Sequence, residues 1–381
     1  MSRLRRIARH GAAVTASLLS ASALWAAFML CRNPEIEAAE PRIVVREPMG
    51  EEVTVVLAGD FAPTDYAMPF IERWGYRYPY RATAPILQRA DVAFANLEAP
   101  VTESDQSFWP YKDWLYRVSP DAVPAWQWLG LDVVSLANNH LIDYRRPGLL
   151  DTLHHLSAAG IEQVGAGADE REARRPVVFD VGGTRIGFLA YLEQQLAFDL
   201  YLGTFAIGAE PGCAQLNAAD VGRDVRRLRP LVDLLVVSVH WGKNYSGVDA
   251  TQERYARLFA DLGVDVVAGH HAHDVQPVEI IGHTVVFYSL GNYAWGALGW
   301  PELRVGLLAR LVVERGHGSR PRLTRVELIP IATQNRIVDY QPRPLRPEEL
   351  PWLDGLRAQS TRRGVNLVVR EGRLDVPLPW R

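Results

Sequence analysis

Val53-Thr54-Val55-Val56-Leu57-Ala58 runs straight into Gly59-Asp60, and this octapeptide sets the reading of the chain. A continuous apolar, β-branched run predicts a strand buried on both faces. The same grammar recurs downstream. Asp91 to Ala95 runs into Asn96-Leu97-Glu98, and Leu131 to Leu136 into Ala137-Asn138-Asn139-His140. Leu231 to Val239 stops at His240. Val264 to Ala268 stops at Gly269-His270-His271-Ala272-His273, and Thr284 to Ser289 at Leu290-Gly291-Asn292-Tyr293. Helices are expected over 82–89, 121–129, 145–159, 252–262 and 347–360, and a long aromatic loop over 101–120. Gly182-Gly183 predicts a hairpin between 177–181 and 185–190. The runs 303–314 and 323–329 predict antiparallel strands joined by a basic turn, Arg315 to Arg322. No clean linker interrupts 51–340, so one α/β domain, with a mixed sheet or two packed sheets, is the economical reading.

The chain has 381 residues, 48% hydrophobic and 22% charged, which are ordinary globular values. They exclude a disordered tail, a collagen-like chain and a polytopic membrane protein. The formal charge of −3 gives no bulk argument for nucleic acid, which is not expected as a partner. With 2 cysteines, Cys31 and Cys213, a disulfide scaffold and any site built on several thiolates are excluded.

Arg3, Arg5, Arg6 and Arg9 precede Gly11 to Cys31, a stretch without a charged residue. As a helix it would rise about 31 Å, close to the hydrocarbon thickness of a bilayer. The basic flank keeps this end cytoplasmic. Residues 1–31 are therefore a single transmembrane signal anchor or a cleaved signal peptide. Both readings place the remainder outside the cytoplasm, anchored to the inner membrane or released to the periplasm. Residues 32–50 read as a linker, 51–345 as the folded domain, and 346–381 as a helix and tail packed on it.

Polar residues gather where strands end. Asp60, Glu98, Asn139, His140, His240, His271 and His273 all follow apolar β-like runs, and the carboxyl ends of strands are where α/β proteins build sites. Carboxylate, amide oxygen and imidazole suit hard or borderline divalent ions. One or two ions per chain are expected, with Mn, Zn and Fe all compatible. His271 and His273, two apart, can be aimed together by a turn, with His270 pointing elsewhere. Singly, each residue has a plainer reading. Asp60 suits a turn or cap, Asn138-Asn139 an Asn-rich turn, and His240 a core-edge histidine bonded to backbone.

Taken together, Ala58-Gly59-Asp60, Asn96-Leu97-Glu98, Ser135 to His140, His240-Trp241-Gly242, Gly269 to His273 and Tyr288 to Asn292 resemble the CapA (poly-γ-glutamate synthesis) family of the calcineurin-like metallophosphoesterase superfamily. The resemblance covers roughly 53–345. It implies a metallophosphatase-like α/β/β/α sandwich with two central mixed sheets. It implies Asp60 and His273 on a first metal, Glu98 bridging, and Asn139, His240 and His271 on a second, with His140 as acid/base. The superfamily commonly opens with Asp-x-His. Here Ala62 holds the second place and cannot ligate, as in the CapA-like branch.

The resemblance implies an extracytoplasmic metal-dependent hydrolase or transferase acting on an amide or phosphoester. Its work would be the synthesis, anchoring or release of poly-γ-glutamate or a related envelope polymer. An anionic polymer, the cytoplasmic membrane and capsule-synthesis membrane proteins are the partners this implies. A non-catalytic metal-binding scaffold and a periplasmic phosphoesterase stand as alternatives. Lys112, Arg117, Trp241, Lys243 and Asn292 are candidate substrate contacts. Glu193, Gln194, Gln195 and Asp199 are read as a loop over the cleft.

Overall fold

The computed structural model describes residues 36–110, 112–194, 203–296, 303–316 and 320–380. The apolar segment 11–31, Tyr111, Gln195, Asp199 and the tip of the basic turn lie outside the described residues.

Two sheets face each other. One has seven strands in the order Arg42–Arg46, Val177–Val181, Thr184–Leu192, Leu234–His240, Val266–His270, Thr284–Phe287 and Val278–Ile281. The other has ten. Its main path runs Val368–Arg370, Arg373–Asp375, Arg322–Ala332, Val305–Glu314, Glu52–Ala62, Val92–Leu97, Val133–Ser135 and Glu162–Val164. Asn292–Trp295 adds to Glu52–Ala62, and Arg343–Pro344 to Arg322–Ala332. Both sheets are mixed, with parallel centres. Helices cover the outer faces, giving the expected metallophosphatase-like sandwich. Phe61 meets Trp126 of the Val123–Leu129 helix on one side. On the other, Val221, Val225 and Phe259 of the helices Ala218–Leu228 and Ala250–Asp261 pack on Leu235 and Val237. Between the sheets, Phe94 stacks on Phe188 at 5.8 Å.

The strand Glu52–Ala62 is buried on both faces beyond its first residue, as its apolar run requires. Its end touches another backbone. A Cβ on Gly59 would stand 1.9 Å from the Gly291 carbonyl oxygen, and one on Gly269 would stand 2.0 Å from that of Tyr288. Only glycine lets these strand ends close on their neighbours. The register then aligns Asp60, Asn96 and Ser135 in one sheet, and His240 with His270 in the other.

Three parts of the sequence reading change. Residues 42–46, assigned to a linker, form an edge strand parallel to Val177–Val181. The Ile43-Val44-Val45 run is β-forming, and backbone pairing outweighs the exposure of Ile43 and Val45. Ala218–Leu228 is an unanticipated helix. Asn217 caps it by accepting from Asp220 N, and Val221, Val225 and Leu228 give it a buried stripe. The segment read as one helix over 347–360 is a 3-10 turn, Pro347–Leu353, leading into the helix Asp354–Arg362.

Candidate functional site

The carboxyl ends of the central strands of both sheets meet, and two overlapping groups of side chains form there. One is Asp60, Glu98 and His273; the other is Glu98, His240 and His271. All are buried, and the ligand atoms within each group lie within 4.8 Å of one another. Glu98 belongs to both. Its Oε1 is buried and accepts no hydrogen bond from a described residue, while lying 3.5 Å from His240 Nε2 and 3.9 Å from His273 Nε2. Leaving such an oxygen bare is costly unless something positive sits beside it. Asn139 Oδ1 lies 2.7 Å from His240 Nε2, at the second group. This donor set of carboxylate, amide and imidazole fits a divalent ion, and the first group has three side chains, Asp60, Glu98 and His273.

The charge pattern agrees with that fit. Burial pushes the Glu98 carboxyl well above the usual range, and the charge of Asp60 adds to this. Burial acts on Asp60 in the same direction, but the hydrogen bond and charge of His270, with His273, hold it below its ordinary value. Burial drives His240 well down, helped by the crowding of His271 and His270. It pushes His271 to about 3, with His273 adding, and it lowers His273. Neutral imidazoles are the form that coordinates metal.

A layer of polar groups holds these residues. Asn96 Nδ2 donates to Asp60 Oδ1 at 2.9 Å and lies 3.4 Å from His240 Nδ1. Asn138 Nδ2 donates to the Leu97 carbonyl at 2.8 Å, and Asn138 Oδ1 accepts from His140 N at 3.2 Å. His270 does not point away as expected. It is the last residue of its strand, and its Nδ1 donates to Asp60 Oδ1 at 2.9 Å. His271 and His273 then sit at φ 86° and 57°, so a left-handed turn, not an extended stretch, aims their rings. Such backbone is costly for a non-glycine residue and is typical of functional sites.

His140 stands beside the second group in a short turn. Its Nδ1 is 2.7 Å from Asp143 Oδ2, and its ring packs at 4.3 Å on Tyr116. Burial pushes its pKa to about 4; Asp143 opposes this and the charge of Lys112 adds to it. Sequence reasoning missed Asp143. The His-x-x-Asp spacing was the available signal, since residues three apart in a turn share a face.

The candidate substrate contacts separate. Lys112 turns inward, donating to Asp143 Oδ1 at 2.5 Å and to the Asn139 carbonyl at 2.7 Å. Arg117 is exposed, stacked over the Tyr144 ring and donating to the Ser104 carbonyl. Trp241 is fully buried with Nε1 on the Tyr288 carbonyl, so its ring belongs to the core, not to a substrate surface. Lys243 is exposed after the His240 strand. Asn292 Oδ1 is 2.9 Å from His273 Nδ1 and orients that ring. Glu193 accepts from Gly242 N at 2.8 Å.

The family model of the bacterial capsule synthesis protein PGA_cap matches residues 54–296. The chain is 28% identical to the capsule biosynthesis protein CapA of Bacillus anthracis over 282 residues, 72% of this chain and 67% of that one. It is 26% identical to the PGA biosynthesis protein CapA of Bacillus subtilis over 272 residues, 71% and 70% of the two chains. With a probable polyglutamine synthesis accessory protein of Mycobacterium tuberculosis it shares 31% identity over 319 residues, 80% and 82%.

Proposed function

The chain belongs to the bacterial capsule synthesis protein PGA_cap family, and from that membership we propose that it acts in making, anchoring or releasing poly-γ-glutamate or a related envelope polymer. In this reading it is an extracytoplasmic metal-dependent hydrolase or transferase working on an amide or phosphoester bond. One observation carries the reading: two buried groups share Glu98, whose Oε1 no described residue satisfies. Asp60, Glu98 and His273 would hold one ion; Glu98, His240, His271 and Asn139 would hold the other. An ion bound there supplies positive charge that polarises a carbonyl or phosphoryl oxygen.

The chain's own groups do the rest. Asn96 and His270 fix the Asp60 carboxylate. His140 holds its Nδ1 against Asp143, which leaves Nε2 as the atom for proton transfer. Lys243, exposed beyond His240, would meet an anionic chain in this reading. Among the described residues no helix is long and apolar enough to cross a membrane. Membrane attachment is therefore proposed from the uncharged run 11–31 alone, with the cytoplasmic membrane and capsule-synthesis membrane proteins as partners. The missing donor at Ala62 favours a second reading, in which the protein retains an ion and binds the polymer as a scaffold.

The test is metal content of the full chain purified without chelator or histidine tag, beside Asp60→Ala and His271→Ala, with turnover of poly-γ-glutamate measured on each. We expect bound metal in the parent chain that falls in both variants. His140→Ala should keep its metal and lose about 10²–10⁴-fold in turnover, the share carried by proton transfer. Bound metal with no turnover on any candidate would move the conclusion to the scaffold. A parent chain that binds no Mn(II) or Zn(II) when offered them would overturn both readings of the site.

A further inference from the structure

We propose that Lys112 and Asp143 are positioning residues for His140. A loop-borne ammonium locks a buried carboxylate, which in turn sets the tautomer and orientation of the imidazole. The inference rests on the reading of His140 as the proton-transfer residue, but its geometry stands by itself. Asp143 is fully buried. Its Oδ1 accepts from Lys112 Nζ at 2.5 Å, and its Oδ2 from Tyr116 N and from His140 Nδ1, both at 2.7 Å. Its carbonyl accepts from Phe108 N at 3.1 Å. Three residues of the 101–120 loop therefore converge on this one aspartate. A buried carboxylate needs a cation and hydrogen bonds to stay charged, and Lys112 supplies the cation from a side chain that is itself only 17% exposed.

Two groups face His140 Nδ1, Asp143 Oδ2 at 2.7 Å and Lys112 Nζ at 3.4 Å; the nearer carboxylate oxygen is the stronger partner, and it draws the imidazole hydrogen onto Nδ1. Nε2 keeps its lone pair on the far side of the ring. Lys112 also donates to the Asn139 carbonyl at 2.7 Å. The same ammonium thus pins the backbone between a candidate metal ligand and His140. Removing it would leave Asp143 Oδ1 buried without its partner, and the carboxylate would be free to turn away from His140. The drive to keep hydrogen on Nδ1 would then be lost. The loop's role near the centre is accordingly to hold His140, through Lys112, Tyr116 and Phe108, and not only to meet substrate.

The experiment is a long-range proton–nitrogen correlation spectrum of the metal-free full chain carrying isotope-labelled histidine. His140 is assigned from the signal lost in His140→Gln. The parent chain should show His140 as the Nδ1–H tautomer. Lys112→Met keeps the side-chain length without the charge and should convert His140 to a mixed or Nε2–H pattern. Lys112→Arg should restore the parent pattern. Asp143→Asn should change it as Lys112→Met does. If Asp143→Asn fails to fold, the two Lys112 variants still decide the matter. Parent-like His140 signals in Lys112→Met would overturn the proposal, as would an Nε2–H tautomer in the parent chain. Because the spectrum is read without turnover and without metal, failure here is distinguishable from failure of the metal-dependent reading.

Discussion

The side-chain amide of Asn96 donates to one oxygen of Asp60 and lies within 3.4 Å of His240 Nδ1, so a single buried residue touches members of both candidate groups. Its own oxygen accepts from Asn138 at 3.3 Å. Outer groups of this kind orient ligands, and their loss typically costs about 10–100-fold in metal affinity. Asn96→Ala should therefore bind Mn(II) about 10–100-fold more weakly, and unfold at a lower temperature because Asp60 loses a buried donor. Competition against a chromophoric chelator measures the first effect. An unchanged affinity would mean that His270 and the strand register suffice to place Asp60. At this scale the strand-end rule took the sequence reading far. Asp60, Glu98, Asn139, His240, His271 and His273 converge because His240 closes a strand, Glu98 and His271 follow one directly, Asn139 and His273 lie in the turn after one, and Asp60 lies two residues before the end of Glu52–Ala62. Asn96, His270, Asp143 and the inward turn of Lys112 were not legible. Their positions depend on which strand lies beside which, and on where a loop of twenty residues comes to rest. Trp241 was misplaced for the same reason, since an aromatic after a strand points into the core as readily as out of it.

Elements were legible where local pattern and burial agree. The strand Glu52–Ala62 and the helix Ala250–Asp261, with its Asp249 and Gln252 capping pair, follow from apolar runs and end signals. The strand Arg42–Arg46 was not, because an edge strand with two exposed apolar residues reads like an irregular linker until its partner is known. The turn Pro347–Leu353 is held by a local ion pair that apolar periodicity does not signal. Both Glu349 oxygens accept from Arg343, each at 2.7 Å, and Oε2 also accepts from Arg346 N at 2.8 Å. These bonds, with the Arg343 hydrogen bond foremost, hold the Glu349 carboxyl at about 2. Its folded value lies below that of the unfolded chain, so the folded state binds fewer protons. The stabilisation is complete above about pH 4.5 and is lost as pH falls toward the folded value. Glu349→Gln should therefore melt below the parent chain at neutral pH, and the gap should close as the pH is lowered from about 5 to about 2. Thermal unfolding over that range reads this directly. A gap that stays constant with pH would show that the Glu349 charge contributes nothing and that only its packing matters.

The last 36 residues, 346–381, bear on the integrity of the whole molecule because they touch both sheets. The strand Arg373–Asp375 pairs with Arg322–Ala332 of the ten-stranded sheet. From the helix Asp354–Arg362, Ser360 Oγ accepts from Val278 N of the seven-stranded sheet at 3.0 Å. Arg363, just beyond, donates to Glu279 at 2.7 Å and to Glu253 at 2.8 Å. Leu353, Leu356, Leu367 and Leu374 from this segment lie in the same core cluster as Val278, Leu328 and Phe94. Alternating strands and helices gave an α/β domain with a mixed sheet or two packed sheets, and the family resemblance implied the sandwich, but this closing role could not be read, since a late helix and tail carry no sign of which layers they bridge. Burying a leucine is worth about 1.5–3 kcal/mol, and a domain's whole stability is about 5–15 kcal/mol. Uncovering the surface under four leucines and two sheet edges is then comparable with everything that holds the fold. A chain ending at residue 345 should either fail to fold or unfold at a much lower urea concentration than the full chain. Its slope against denaturant should also be shallower, because less surface remains to be exposed. A truncated chain that unfolds at the full chain's midpoint, with its metal content intact, would show that the segment is an appendage and that the two sheets hold each other through the Phe94–Phe188 layer alone.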